Sequence, residues 1–217
     1  MPTDDSASSV SKPVSDSHGP IDRPVQWAHA RTGVLWLARQ SSEIRPERVA
    51  IALPVAVGWH AAGWTGAAWG AIVALFYGVV PAWQAPRAKQ QPGGGKGRRQ
   101  VLAAAVSLLI GLVAVMVGGA PRPVLGLAVG LLAILVIFAP LTTRGWNIST
   151  HSATASGAAA VLIIDFRLPL AAGVAIAAGA ALVAISRIVL GEHDLSEVLA
   201  GLAVGAVACG GLFALIT

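Results

Sequence analysis

Seven apolar segments account for most of this chain, and they constrain its fold more than any other feature of the sequence. Each is roughly 15 to 21 residues long, close to the length that a helix needs to cross a bilayer. They cover residues 49–63, 66–84, 101–119, 123–141, 151–166, 168–186 and 197–216. The break between the first two segments is weak. The pattern therefore predicts an all-α, polytopic bundle of six or seven transmembrane helices.

The composition agrees with a membrane protein whose helices pack closely. Hydrophobic residues make up 55% of the 217 residues and charged residues only 12%, whereas soluble domains carry about 25% charged residues. The chain has 25 glycines, and the pentapeptide GLAVG occurs at both 126–130 and 201–205, while GAAWG occupies 66–70. Small residues four apart let membrane helices approach closely. These three stretches are therefore predicted to be helix-packing faces.

The N-terminal residues 1–47 differ from the rest of the chain. They are rich in Ser, Asp and Pro and contain too few apolar residues to form a core of their own. We expect a disordered tail, and residues 27–48 could alternatively form an amphipathic helix on the membrane surface. The predicted division is a disordered or interfacial tail at 1–47 and a transmembrane helical domain at 48–217.

The basic residues are distributed unequally between the two ends of the predicted spans. If all seven segments cross the membrane, the tail and the loops at 85–100, 142–150 and 187–196 share one side. Only Arg122 and Arg167 lie on the other side. All other basic residues lie on the same side as the tail: Lys12, Arg23, Arg31, Arg39, Arg45, Arg48, Arg87, Lys89, Lys96, Arg98, Arg99, Arg144 and Arg187. The positive-inside rule then predicts a multi-pass protein of the cell (inner) membrane with the tail in the cytoplasm. The orientation of the protein in the lipid bilayer explains the excess of basic charge, so no nucleic-acid partner is expected.

Three polar stretches are predicted to meet at this cytoplasmic end, at 84–100, 144–156 and 186–197. In the second stretch, Ser149 and Thr150 precede a helical segment and can cap it. Free backbone N–H groups at such a helix start, beside His151, suit a phosphate group.

The third stretch places an arginine close to a histidine and a carboxylate. Arg187 has a planar guanidinium group that matches phosphate oxygens. His193 and Glu197 lie four residues apart, and therefore on one helix face. A carboxylate at this spacing can hydrogen-bond one imidazole nitrogen and leave the other free to attack.

These residues resemble the signature motifs of the type 2 phosphatidic acid phosphatase family. The family's third motif is Ser-Arg, five residues, His, three residues, Asp. Here Ser186-Arg187 is followed by His193 and then by Glu197 at the same spacing. The second motif, Pro-Ser-Gly-His, corresponds to ISTH at 148–151, which keeps the Ser and the His. The resemblance covers roughly residues 85–217.

The first motif of that family, Lys, six residues, Arg-Pro, is matched least well. Lys89 is followed after six residues by Lys96-Gly97, and Arg98 or Arg99 could replace the missing arginine. Without the Arg-Pro pair, the phosphate-binding residues of this family are only partly present in the chain.

The resemblance implies a metal-independent lipid phosphatase, without a cofactor, that forms a phosphohistidine intermediate. His193 would attack phosphorus, Glu197 would orient it and His151 would protonate the leaving group. The implied phosphate-binding residues are Arg187, Ser149, Thr150, Lys89, Lys96, Arg98 and Arg99. The implied substrate is a membrane lipid phosphate or diphosphate, of the prenyl-linked or phosphatidic acid type. The alternative is a non-catalytic lipid-phosphate-binding or transport protein of the same fold, which the incomplete first motif favours.

Overall fold

The computed structural model describes Trp36 and residues 46–80 and 96–217, and the latter two ranges are helical apart from short turns. The helices are α1 (Pro46–Ala74), α2 (Lys96–Val117), α3 (Arg122–Thr143), α4 (Thr150–Asp165), α5 (Leu170–Val189), α6 (Leu195–Val204) and α7 (Leu212–Ile216). Two π-helical segments, Leu75–Val79 and Gly205–Gly211, extend α1 and join α6 to α7. Within these ranges no strand occurs, which confirms the all-α prediction for the described residues.

Four helical stretches of the described residues are long and apolar enough to cross a membrane. They are Arg48–Val79, Arg122–Leu141, Leu170–Val189 and Leu195–Ile216, and a shorter apolar stretch covers Leu102–Val117. This confirms the membrane class of the chain in its general form. The number of crossings stays a prediction.

The first of these stretches is a helical hairpin. Ala62 and Gly63 leave helical geometry, and Gly63 has a φ of +58°, a value that glycine adopts readily. Beyond this point the chain returns along itself. A Cβ on Gly66 would lie 1.9 Å from the carbonyl oxygen of Gly58, and one on Gly70 would lie 2.1 Å from that of Pro54. The weak break between the first two predicted segments is thus a reversal of direction, and GAAWG is the packing face predicted for it.

The two GLAVG stretches also pack helix against helix. A Cβ on Gly130 would lie 2.9 Å from Cα of Cys209, and one on Gly201 would lie 2.5 Å from the carbonyl oxygen of Ser149. Both predicted packing faces are confirmed. Helix α4 contacts α6, and the π-helical segment that follows α6, at backbone distance. The N-terminus of α4 is therefore held directly against α6.

One polar contact joins the hairpin turn to the far end of α4. Nδ1 of His60 lies 3.1 Å from Oδ2 of Asp165, and the His60 ring stacks on Phe166 with centroids 4.3 Å apart. The turn at 166–169 follows, and there Arg167 has a φ of +46°. These residues lie at the end of the bundle opposite to the N-terminus of α4.

Two predicted boundaries require correction, and most of the predicted tail lies outside the described residues. The basic loop predicted at 85–100 ends before Lys96, because 96–100 already form the start of α2. Lys, Arg and Gln are good helix formers, so the apolar helix extends into them. At the N-terminus, α1 begins at Pro46, two residues before the predicted boundary. Apart from Trp36 and the start of α1, the predicted tail lies outside the described residues.

Candidate active site

The N-terminus of α4 is capped by a buried serine. Ser149 is the N-cap residue, and its Oγ accepts hydrogen bonds from the Ser152 backbone N–H at 3.3 Å and from the Ser152 hydroxyl at 3.0 Å. Both serines are fully buried. The predicted cap at Ser149 is confirmed, whereas Thr150 is the first helical residue, is exposed and does not cap α4.

The last turn of α5 carries a buried arginine. Arg187 is only 3% exposed, and its Nη1 donates to the carboxylate of Glu192, while its Nε donates to Oγ of Ser186 at 3.4 Å. Among the described residues, the buried Nη2 atom has no hydrogen-bond partner. A cation near a helix C-terminus is favoured by the helix dipole. An unpaired buried donor on a cation is costly, and an anion would satisfy it.

The predicted hydrogen bond between the histidine and the carboxylate forms, but the two residues do not share a helix face. Helix α6 begins at Leu195 with Asp194 as its N-cap, so His193 precedes the helix and Glu197 reaches back to it from the first turn. Nδ1 of His193 lies 2.8 Å from Oε2 of Glu197, with the two side chains 12% and 18% exposed. The same Oε2 accepts the backbone N–H of Asp194 at 3.3 Å, so the carboxylate is held from two sides. An ionised carboxylate only accepts hydrogen bonds, so it pairs with the tautomer of the imidazole that carries the N–H on Nδ1, and in that tautomer Nε2 has the lone pair.

Backbone hydrogen bonds connect these three helix ends. The Ser149 N–H donates to the Glu197 carbonyl at 3.3 Å, and the His193 N–H donates to the Arg187 carbonyl at 3.3 Å. Gly201, one turn after Glu197, lies directly against the Ser149 carbonyl. The second and third polar stretches, roughly 35 residues apart in the chain, are therefore joined at one end of the bundle.

The other predicted site residues are placed less fully. His151 lies in the first turn of α4, beside the Ser149 cap, and is half-buried. Lys96, Arg98 and Arg99 lie in the first turn of α2, and only their backbone is described. Lys89 lies outside the described residues. The contribution of the first polar stretch to this site stays a prediction.

Glu192 is the site residue that the sequence analysis did not assign. Helix α5 ends at Val189, and Gly191, two residues further on, has a φ of +71°. The Glu192 N–H donates to the Arg187 carbonyl at 3.0 Å, and the Gly191 N–H donates to the Ile188 carbonyl. This is the Schellman arrangement, in which the second residue beyond the helix end approaches the last turn. Gly191 was the signal in the sequence that could have placed Glu192 beside Arg187.

Comparison of the chain with protein-family models, curated proteins and solved structures finds no match. Within 46–80 and 96–217, no group of three or more His, Cys, Asp or Glu residues is placed to hold a metal ion. The function must therefore be inferred from the chemistry of the joined helix ends: an imidazole oriented by a carboxylate, and a buried guanidinium whose Nη2 has no partner among the described residues.

The Glu197→Gln variant tests the role of the carboxylate. Glutamine keeps the length of the side chain and an oxygen that can accept the Asp194 N–H, but it loses the charge beside the imidazole. If His193 attacks phosphorus, as the motif resemblance implies, phosphate release should fall by up to roughly 10⁴-fold, the cost of the corresponding Asp→Asn change in a Ser-His-Asp triad, and by less than on loss of His193 itself. Glu197→Asp, which keeps the charge, should retain more activity than Glu197→Gln. Initial rates of the two variants check this, and equal rates would contradict it.

Proposed function

We propose that this protein is an integral membrane phosphatase that hydrolyses a lipid phosphate or diphosphate through a phosphohistidine intermediate. The observation that supports it most is the hydrogen bond between His193 and Glu197 at the start of α6. A backbone hydrogen bond joins His193 to Arg187 at the end of α5, where the buried guanidinium has an Nη2 atom without a partner among the described residues. A nucleophile alone would suit many reactions. A nucleophile at the same end of the bundle as a buried cation with an unpaired donor suits an anionic electrophile, and phosphate is the anion that the motif resemblance implies.

In the first step of the proposed reaction, Nε2 of His193 attacks phosphorus with its lone pair, and the bond from phosphorus to the leaving oxygen breaks. Glu197 stabilises the positive charge that develops on the imidazole. His151 gives a proton to the leaving alkoxide or phosphate. Arg187 and the backbone N–H groups at the start of α4 stabilise the charge on the equatorial oxygens.

In the second step, a water molecule attacks the phosphorus of phosphohistidine. His151, now neutral, accepts a proton from this water, and the phosphorus–nitrogen bond breaks. The bonding electron pair returns to Nε2 of His193, inorganic phosphate is released and the starting protonation states are restored. The same histidine thus acts as acid and then as base.

The membrane location determines the substrate class in this proposal. The site lies at one end of an apolar helical bundle, so the acyl or prenyl chain of the substrate would remain in the bilayer while its head group enters the polar end. Anchoring the chain holds phosphorus near His193 and reduces the entropy lost on reaching the transition state. The positive-inside rule, applied to the distribution of basic residues, favours the cytoplasmic side of the cell membrane for this end.

A panel of lipid phosphates tests the proposal. Purified protein in detergent with EDTA should release phosphate from at least one of a prenyl phosphate, a prenyl diphosphate, phosphatidic acid or phosphatidylglycerol phosphate. With a substrate labelled at the phosphorus that is attacked, an alkaline quench should leave label on the peptide that contains His193.

The outcomes separate the two candidate functions. Release together with label on His193 would support the phosphatase. Binding of these lipids by folded protein without any release would favour the non-catalytic lipid-phosphate-binding protein, and the missing Arg-Pro pair after Lys89 would then be the reason to examine first. Label on any other residue would contradict the assigned nucleophile.

A further inference from the structure

The guanidinium of Arg187 is already paired with an acid of the chain itself. Its Nη1 donates to Oε2 of Glu192, which lies in the turn between α5 and α6. The two partners differ strongly in exposure, since the Arg187 side chain is 3% exposed and that of Glu192 is 48% exposed. Of the two, Glu192 is the partner that can leave, because its carboxylate can be rehydrated at little cost.

The pairing leaves part of the guanidinium unsatisfied. Arginine and a carboxylate commonly form two parallel hydrogen bonds, but here Nη2 is buried without a partner among the described residues. Three oxygens of a phosphate group could engage Nη1 and Nη2 together. The guanidinium therefore has more binding capacity than Glu192 uses.

The backbone keeps the carboxylate near the guanidinium. The hydrogen bond from the Glu192 N–H to the Arg187 carbonyl places the two residues side by side, and Gly191 supplies the required turn. A group held on the same chain competes at an effective concentration that can reach the millimolar range. A phosphate ligand must exceed this competition to bind.

We propose that Glu192 is an internal competitor for the phosphate site: it occupies Arg187 in the ligand-free protein, is displaced by the substrate phosphate and returns as inorganic phosphate leaves. This rests on the proposed function in one respect, namely that Arg187 binds phosphate. The assignment makes Glu192 an affinity-determining residue of the site. Its carboxylate keeps the buried cation paired between turnovers and weakens the binding of product.

Competition and positioning predict opposite changes in phosphate affinity when Glu192 is removed. If Glu192 served only to position Arg187 for phosphate, its removal would weaken phosphate binding. If it competes, its removal strengthens binding. Glu192→Gln distinguishes the two because glutamine keeps the size of the side chain and removes only the charge.

The experiment uses inorganic phosphate and the purified full chain in detergent at constant ionic strength. Titration calorimetry should show phosphate binding about 3- to 10-fold tighter to Glu192→Gln than to the unmodified protein, less than the more than 10-fold of a buried charged hydrogen bond because Glu192 is half exposed. Phosphate should also raise the thermal unfolding temperature of this variant more. Glu192→Ala is the second variant and should behave alike.

Two controls separate competition for Arg187 from a general change in charge. Asp194→Asn removes the same charge two residues away, at an exposed N-cap position where Asn serves as well as Asp, so its phosphate affinity should stay within about twofold of the unmodified protein. Adding Arg187→Lys to Glu192→Gln should abolish the gain. Unchanged or weaker phosphate binding by folded Glu192→Gln, or an equal gain in Asp194→Asn, would overturn the proposal.

Failure of this proposal is distinguishable from failure of the proposed function. Phosphate release with label on His193, but no change in phosphate affinity on replacing Glu192, would reject the competitor and leave the phosphatase. Tighter phosphate binding by Glu192→Gln in a protein that hydrolyses no lipid phosphate would support the competitor at a site that binds without catalysing.

Discussion

Replacement of His193 by alanine is expected to reduce phosphate release from the best lipid substrate by roughly 10³-fold or more, because a covalent mechanism loses its nucleophile. The binding of inorganic phosphate should change far less than the rate, because the guanidinium of Arg187 remains. Single-turnover assays in detergent, with phosphate affinity measured in parallel, check both parts.

Asp194→Asn is the matched control for the His193 variant. It changes the adjacent residue in the same turn, keeps the N-cap of α6 and should retain phosphate release. The unfolding temperatures of all three proteins establish that any loss is chemical. If folded His193→Ala kept more than about a tenth of the activity, the covalent role of His193 would be rejected, since removal of a nucleophile costs far more than tenfold.

The second large effect is expected from Gly205→Ala, through packing and not through chemistry. A Cβ at Gly205 would lie 2.0 Å from the carbonyl oxygen of Ala153 and 2.2 Å from Oγ of Ser156. Because the first of these atoms belongs to the backbone, the two helices must separate. Overpacking of this kind costs about 1–3 kcal/mol and occasionally more.

Separation at Gly205 would also change the site. The Ser149 N–H donates to the carbonyl of Glu197, which lies two turns before Gly205 on the same helix. Moving this helix away from α4 therefore strains that hydrogen bond. We therefore expect Gly205→Ala to lower both the unfolding temperature and the rate of phosphate release.

Gly211→Ala is the control within the same π-helical segment. A Cβ on Gly211 meets no atom within 4 Å, and alanine is the better helix former. Its unfolding temperature should equal or slightly exceed that of the unmodified protein. Thermal unfolding in one detergent compares the variants, and equal destabilisation by Gly205→Ala and Gly211→Ala would show that the close contact at Gly205 is not the cause.

Much of the candidate site could be predicted because its parts are local. A Ser before a helical run caps it, and residues four apart such as His193 and Glu197 lie within reach of each other. The prediction put both on one helix face, whereas His193 precedes α6 and the Glu197 carboxylate folds back over the N-cap residue Asp194. The structure contains both contacts. The Glu192 contact is also local, but it depends on the turn at Gly191, and Glu192 was given no role from the sequence.

By itself, the sequence determined the all-α class, the apolar segments and the small-residue faces, since helical periodicity and residue size act within a few residues of the chain. Tertiary structure alone decided which faces meet. The reversal at Gly63, the contact of His60 with Asp165, and the burial of Nη2 of Arg187, which has no partner among the described residues, all depend on how the helices pack. The physical reason is that hydrogen bonding within a helix is complete before the helix has a neighbour, whereas burial and the pairing of long side chains arise only when helices pack.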